Sequence, residues 1–427
     1  MSESKRIILI KGLLIFVFFI VLTVEAADPL KPSQVYVKGN QLFVASHGQA
    51  EPQPYIIKGI TWSPETAAPD FGPDPLNPSE NVEYGFFFDW DKRQPQGHEI
   101  FVLWKEKQFF KRYATDIPLM KKMNLNTVRV YSSFGLNPKE YLAILDEFYH
   151  QGLSVIMTVA ISKSDIDLGK HKRVVQAYKD HPAILFWSIG NEWNLDYNKY
   201  WGYATVEEAA QATNRAAKAI KAIDSNHPVG SVLGDRFQDQ EPKNTIKHIL
   251  KVCPDVDLWG LNIYRGKSFG NLFSQWQSLT DKPFYICEFG TDSFFTESYD
   301  VVGGYQADNC KGREDQAMQA EFALGLWGEI SGQLSAKFPQ KQCLGGLVHE
   351  FNDSLWKVGS YHVSLGGLVD YNSPERCSYK EYDSEGFYLP GGHPDDVANE
   401  EYFGVVDANR QPKQAFFKLQ EYYRQLE

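Results

Sequence analysis

Two glutamates follow apolar stretches that have the character of buried strands. Glu192 comes directly after Ile184–Asn191, ILFWSIGN, and Glu288 lies within PFYICEF. A carboxylate at such a position is costly to bury unless it has a partner or a function. Two facing carboxylates can cleave a glycosidic bond, because one protonates the leaving oxygen while the other attacks the sugar carbon. Taken singly, each glutamate is equally compatible with a strand-end residue in solvent or in an ion pair.

Other polar and aromatic residues also come at the ends of apolar runs. Arg129 and Tyr264 are expected to keep Glu288 ionised. Glu288 would then be the nucleophile, and Glu192 the acid and base. Asn191 is expected to hold a sugar hydroxyl. The remaining candidates for substrate binding or support are Trp62, Trp356 and Glu350. Each of these residues also has an ordinary structural interpretation, so the hypothesis depends on the whole set.

Eight apolar runs alternate with helical patterns along most of the chain. Their near-continuous hydrophobicity is typical of parallel strands that are buried on both faces. The runs are Tyr55–Trp62, Asn126–Ser132, Leu153–Ala160, Ile184–Asn191, Pro228–Gly234, Val256–Tyr264, Pro283–Phe289 and Leu344–Phe351. This alternation predicts a closed (β/α)8 TIM barrel, with a doubly wound open sheet as the alternative. In a barrel, Glu192 after the fourth strand and Glu288 at the end of the seventh would face each other across the mouth.

The chain is longer than a minimal barrel, and the excess lies mainly in two loops. Ser63–Tyr113 follows the first strand and Asn352–Asp407 follows the eighth. Loops of this length are usually binding loops or covers, and both are expected over the mouth. Residues Gln34–Ser46 are predicted to form a small hairpin at the opposite end. Residues 34–427 are therefore predicted to be a single catalytic domain.

The first 26 residues have the pattern of a secretory signal peptide. A basic start precedes the apolar stretch Gly12–Val24, and small residues follow near Ala26 and Ala27. An uncleaved N-terminal anchor is the alternative. The expected location is outside the cell, in the periplasm or in the cell envelope, with membrane attachment only if the segment stays uncleaved.

Composition and residue spacing limit the kinds of partner and cofactor that we expect. The net charge is −11 and no basic stripe is present, which argues against a nucleic-acid partner. No zinc-type spacing of Cys or His is found, so no metal or cofactor is expected. Of the five cysteines, Cys287 is predicted to be a buried free thiol. A disulfide bond among Cys310, Cys343 and Cys377 is plausible, because export permits disulfides.

With these residues and strands, the sequence resembles clan A of the glycoside hydrolases. Those are retaining enzymes on a (β/α)8 barrel, with an Asn–Glu pair after strand four and a glutamate nucleophile on strand seven; IGNEWN and YICEFG match these motifs. One similar family contains β-galactosidase, β-mannosidase and β-glucuronidase. The other is the cell-wall β-1,3-glucanosyltransferase family, to which IKGITW, DIPLMKKMNLNTVRVY, GLNIY and GGLVHEFND are similar.

The resemblance implies a role for each matching residue. Glu192 corresponds to the acid/base, Asn191 to its partner for the sugar 2-hydroxyl, and Glu288 to the nucleophile. Arg129 and Tyr264 correspond to residues that support the nucleophile. The implied function is a retaining β-glycosidase acting on a β-linked oligo- or polysaccharide, with a glucanosyltransferase as the alternative. A catalytically inactive carbohydrate-binding barrel and a metal-assisted, non-glycosidic barrel enzyme are the alternatives from other classes.

Overall fold

A computed structural model of the chain describes residues 31–45, 51–63, 70–73, 81–84, 113–131, 138–195, 197–198, 201–303, 306–354, 376–378, 395 and 399–426. The predicted signal peptide, Trp356 and most of the two long loops lie outside these residues. Within the described part of the chain, no helix has both the length and the apolar character that a bilayer span requires.

Sixteen strands and nine α-helices make up the described part of the chain. The strands are β1 (Gln34–Lys38), β2 (Gln41–Ala45), β3 (Gln53–Pro54), β4 (Ile57–Trp62), β5 (Asp70–Pro73), β6 (Asn81–Tyr84), β7 (Thr127–Val130), β8 (Ser154–Ala160), β9 (Ile184–Ile189), β10 (Val229–Gly234), β11 (Leu258–Asn262), β12 (Phe284–Phe289), β13 (Phe294–Gly303), β14 (Gln306–Glu314), β15 (Cys343–Val348) and β16 (Arg376–Ser378). The helices are α1 (Tyr113–Lys122), α2 (Pro138–His150), α3 (Lys163–Asp167), α4 (Lys170–Tyr178), α5 (Val206–Ile223), α6 (Ile246–Val252), α7 (Leu272–Leu279), α8 (Gln316–Ser331) and α9 (Gln414–Gln425).

Eight parallel strands close into a barrel, which confirms the predicted (β/α)8 fold. The ring runs β4, β7, β8, β9, β10, β11, β12 and β15, and β15 pairs back with β4. All eight coincide with the predicted apolar runs. Every strand of the ring is buried on both faces, one toward the interior and one toward the helices.

The inward side chains change character along the barrel axis. Near the strand starts they form an apolar plug that includes Ile57, Leu258 and Leu344. Toward the strand ends they become polar, with Thr61 on β4 and Arg129 on β7 both buried. The apolar plug fixes the barrel, and the polar layer above it supplies the side chains of the mouth.

A hairpin covers the end of the barrel opposite the mouth. Strands β1 and β2 pair antiparallel, and Val35 and Val44 pack against the apolar plug. The backbone N–H of Val35 donates to the carbonyl of Asn226 at 3.0 Å, just before β10. The Ser33 hydroxyl lies 2.9 Å from His227 Nε2, so the entering chain is also held by side chains.

A third insertion into the barrel follows β12, in addition to the two predicted long loops. Strands β13 and β14 form an antiparallel hairpin, and β16 pairs with β14. The sequence analysis did not predict this sheet. Its sequence is rich in polar and acidic residues and lacks the continuous apolar runs by which the barrel strands were recognised.

The buried cysteines refine the disulfide prediction. Cys287 is a buried free thiol, as predicted. Cys343 is also free and buried, so its inclusion among the candidates for a disulfide bond was wrong. Burial raises the pKa of both thiols to about 12, which keeps them protonated and unreactive. The side chains of Cys310 and Cys377 lie outside the described residues, and a bond between them stays a prediction.

A buried ion pair joins the first helix to the segment before the last one. Arg410 donates to both carboxylate oxygens of Asp116 on α1, at 2.9 and 3.1 Å, and the side chains are almost fully buried. The Trp62 indole N–H donates to the same carboxylate at 3.0 Å. The pair therefore ties the segment before α9 to α1, and Trp62 connects both to β4 of the barrel.

Replacing Arg410 with methionine should destabilise the fold strongly. Methionine fills a similar volume but leaves the buried Asp116 carboxylate without its cation, so we expect the free energy of unfolding to fall by about 3–5 kcal/mol. Urea denaturation would measure this loss. Arg424→Met, on the exposed face of α9, is the matched control and should change stability by less than about 0.5 kcal/mol. Equal stabilities of the two variants would contradict the prediction.

Candidate active site

Three side chains donate hydrogen bonds to Glu288 at the end of β12. Arg129 Nη1 donates to Oε1 at 2.9 Å, and the Tyr131 hydroxyl donates to the same oxygen at 2.7 Å. The Tyr264 hydroxyl donates to Oε2 at 3.0 Å. Arg129 is fully buried and Glu288 nearly so. The structure thus brings both predicted supports, Arg129 and Tyr264, to the predicted nucleophile, and the three donors fix the orientation of its carboxylate.

Tyr131 is a site residue that the sequence analysis missed. It lies two positions after Arg129, so strand alternation directs both side chains to the same face. The Arg129 guanidinium lies 4.4 Å above the Tyr131 ring, an arrangement that a cation and an aromatic face stabilise. Burial, followed by the charge of Glu288, raises the pKa of Tyr131 well above its usual value. Its hydroxyl therefore stays protonated and available as a donor.

The second arm of the Arg129 guanidinium reaches the residue before Glu192. Its Nη2 donates to Asn191 Oδ1 at 2.8 Å, and Asn262 Nδ2 approaches the same oxygen at 3.2 Å. One planar group thus connects Glu288 with Asn191. The polar groups of four strands, β7, β9, β11 and β12, are assembled around it.

Glu192 stands on a tight turn that follows β9. Gly190 has φ +74° and Glu192 itself has φ +49°, a conformation that few non-glycine residues adopt. The turn is fixed by backbone bonds from Gly190 N–H to Ala160 O at 2.7 Å and from Glu192 N–H to Val232 O at 3.1 Å. Glu192 is half-buried. The turn thus places Glu192 just beyond the end of β9 on a fixed backbone.

The charges of both glutamates affect the pKa of the Cys287 thiol. Burial is the main cause of its raised pKa, and the negative charges of Glu288 and Glu192 raise it further. Burial alone would lower the pKa of Arg129, but the acidic groups of Cys287, Tyr131 and Glu288 raise it overall, so the guanidinium stays charged.

The family comparison agrees with this geometry. Residues 109–319 match the model of glycosyl hydrolases family 2, TIM barrel domain. The barrel of this chain is similar to that family's TIM barrel domain over the matched residues. The matched stretch contains Arg129, Asn191, Glu192, Tyr264 and Glu288.

Individual proteins are similar to this chain over different lengths. The 1,3-beta-glucanosyltransferase GAS2 of Saccharomyces cerevisiae is 28% identical over 167 residues, which are 35% of this chain and 28% of that protein. A β-D-glucuronidase of Dictyoglomus thermophilum superposes with a TM-score of 0.51 at 16% identity, covering 92% of this chain and 54% of the other. A β-galacturonidase of Eisenbergiella tayi gives 0.51 at 17% identity, with the same coverage. The chain spans about half the length of these structures, and the likeness to them shows the fold.

Two predicted substrate contacts lie elsewhere in the barrel. Trp62 is only 1% exposed, and its ring packs edge-on against Phe148 of α2. It therefore faces the helices, and its prediction as a pocket floor was wrong. Glu350 is also about 1% exposed and accepts a hydrogen bond from the Ser354 hydroxyl at 2.7 Å, so it lies behind the mouth. Trp356 lies outside the described residues.

Gly190 is expected to be indispensable for the position of Glu192. A Cβ atom at this position would lie 2.5 Å from Trp193 Cδ1, in addition to the strain of a positive φ. We expect Gly190→Ala to lower the free energy of unfolding by roughly 2–4 kcal/mol and to reduce turnover.

Gly152 is the matched control for Gly190. It has φ +73°, but its nearest neighbour is the flexible end of Lys121 at 3.5 Å. Gly152→Ala should therefore cost only the backbone strain, about 1–2 kcal/mol, with turnover unchanged. Urea denaturation and kcat measure the two effects. Equal losses in the two variants would show that contact with Trp193 does not constrain the turn.

Proposed function

We propose that the protein is a retaining β-glycosidase that hydrolyses β-linked oligo- or polysaccharides by double displacement. The observation that carries the proposal is the carboxylate of Glu288, held by Arg129, Tyr131 and Tyr264 at the end of β12. Glu192, which follows β9, is the second carboxylate that the proposal uses. A carboxylate that is fixed and charged is a nucleophile without further activation. The named relatives, two β-glycuronidases and a β-glucan transferase, support a β-linked substrate.

In the first step, a Glu288 oxygen attacks the anomeric carbon as the bond to the leaving oxygen breaks. Glu192 gives its proton to that leaving oxygen. In the second step, Glu192 takes a proton from water, the water oxygen attacks the anomeric carbon, and the ester bond to Glu288 breaks. Asn191 is placed beside the reacting carbon to hold the neighbouring hydroxyl. The mechanism requires the two carboxyl groups to be about 5–5.5 Å apart.

A β-1,3-glucanosyltransferase is the second candidate, and the similarity to GAS2 favours it. The first half of the reaction is identical. In the second half a sugar hydroxyl replaces water, so the product is a longer or rearranged glycan. In this proposal, the long loops after the first and eighth barrel strands decide which acceptor reaches the intermediate.

A panel of aryl β-glycosides and β-linked oligosaccharides, including β-1,3-glucans, tests the proposal. Retention predicts that the β-anomer of the new reducing end appears first in proton NMR. Initial α-anomer would exclude double displacement, and products longer than the substrate would establish transfer. Binding without turnover across the panel would favour the inactive carbohydrate-binding barrel.

We further propose that the protein acts outside the cytoplasm, because residues 1–26 have the signal-peptide pattern. The N-terminus of the protein purified from its native host measures this. Cleavage near Ala26 or Ala27 is the expected result, whereas an intact first residue on membrane-bound protein would indicate an anchor.

A further inference from the structure

A histidine lies within reach of the nucleophile and of its tyrosine donor. His349 follows β15, and its Nδ1 lies 3.0 Å from the Tyr131 hydroxyl and 3.0 Å from Thr61 Oγ1. The same nitrogen is 4.0 Å from Glu288 Oε2. The ring is nearly buried against Phe403, with a centroid distance of 5.6 Å. The imidazole is therefore fixed at the nucleophile without accepting or donating a direct hydrogen bond to it.

The donors and acceptors allow one consistent assignment of protons. An ionised Glu288 only accepts, so the single proton of Tyr131 is directed to Glu288 at 2.7 Å. The contact between Tyr131 and His349 must then be donated by His349 Nδ1–H. Thr61 is compatible with this assignment. Its hydroxyl donates to the Val348 carbonyl, so its oxygen can accept from His349 Nδ1–H.

The other ring nitrogen faces a buried acid. His349 Nε2 lies 3.9 Å from Glu350 Oε1, and that oxygen accepts from the Ser354 hydroxyl. Glu350 is thus placed behind the imidazole, on the side of the ring that carries Nε2. Four groups follow one another from the barrel wall to the mouth: Glu350, His349, Tyr131 and Glu288.

We propose that His349 is a positioning residue that acts on Glu288 through Tyr131. Its Nδ1–H donates to the Tyr131 oxygen, which prevents the hydroxyl from turning away and strengthens its donation to Glu288. The proposal rests on the proposed role of Glu288 as nucleophile. The effect should be largest when Glu288 leaves the sugar, because the carboxylate then regains its full charge.

A double-mutant cycle tests the connection to Tyr131. His349→Phe keeps the ring but removes both nitrogens, and Tyr131→Phe removes only the hydroxyl. We expect His349→Phe to lower kcat about 10-fold with KM nearly unchanged, and Tyr131→Phe to lower kcat about 10- to 100-fold. The double variant should be no slower than Tyr131→Phe alone. Equal fold losses for His349→Phe in both backgrounds would overturn the proposal.

A conservative variant and a spectrum separate positioning from packing. His349→Asn keeps an N–H near the place of Nδ1 and should recover most of the lost kcat, whereas a purely structural role predicts no recovery. In protein labelled with 15N-histidine, Nδ1 of His349 should carry the proton and change its shift in Tyr131→Phe. An unprotonated Nδ1 would overturn the proposal without any activity measurement. Turnover that survives in Glu288→Gln would instead refute the proposed function.

Discussion

Glu288→Gln should lose turnover by about 10⁴-fold or more on every substrate that the protein hydrolyses. Glutamine has the same shape and still accepts the hydrogen bond from Arg129, but its amide cannot form the glycosyl ester. Folding should be retained, because Arg129 keeps a polar partner. Thermal melting checks the fold, and kcat on an aryl β-glycoside measures the loss.

Glu288→Ala permits a stricter test of the same role. The shortened side chain leaves space in which a small anion such as azide can attack the anomeric carbon directly. One displacement in place of two should give an α-glycosyl azide from a β-substrate. Glu321→Gln, an exposed glutamate on α8, is the control and should keep full activity. Wild-type rates in Glu288→Ala would contradict the assignment of the nucleophile.

Glu192→Gln should produce a loss that depends on the leaving group. The first step needs a proton only when the leaving oxygen is basic, as in a glycan, so we expect a fall of about 10²–10⁴-fold there. An aryl glycoside with an acidic phenol needs little protonation, and its first step should be nearly unaffected. Formation of the glycosyl ester, followed as a burst of phenol, measures the difference.

The pH profile offers an independent measure of Glu192. An acid that must carry a proton produces a decline in rate toward alkaline pH, and that decline should vanish in Glu192→Gln. Asp235→Asn, which changes a carboxylate of the mouth paired with Arg265, is a suitable comparison and should keep the decline. Equal losses for good and poor leaving groups would show that Glu192 is not the acid.

The barrel itself could be predicted from the sequence because its strands are buried on both faces. That burial demands eight long apolar runs, and the runs are visible without any knowledge of tertiary contacts. The same runs mark the strand ends, which is why Glu192, Glu288 and Arg129 were found. The polar hairpin of β13 and β14 carries no such signal.

The side-chain direction on these strands was harder to predict. When both faces of a strand are apolar, the sequence does not show which alternate set of side chains faces the barrel interior. Trp62 was therefore chosen as a candidate for substrate binding, although Thr61 occupies the inward position. Once Arg129 is known to face inward, alternation does predict Tyr131. His349 reaches the site through contacts with residues more than 200 positions away in the sequence, and no local pattern contains that information.

The guanidinium of Arg129 has a consequence for how this protein can diversify. Its rigid plane sets the spacing between Glu288 and Asn191 by covalent geometry, from within the barrel wall. Changes of sequence in the long loops after β4 and β15 can therefore accumulate while the separation between Glu288 and Asn191 stays the same.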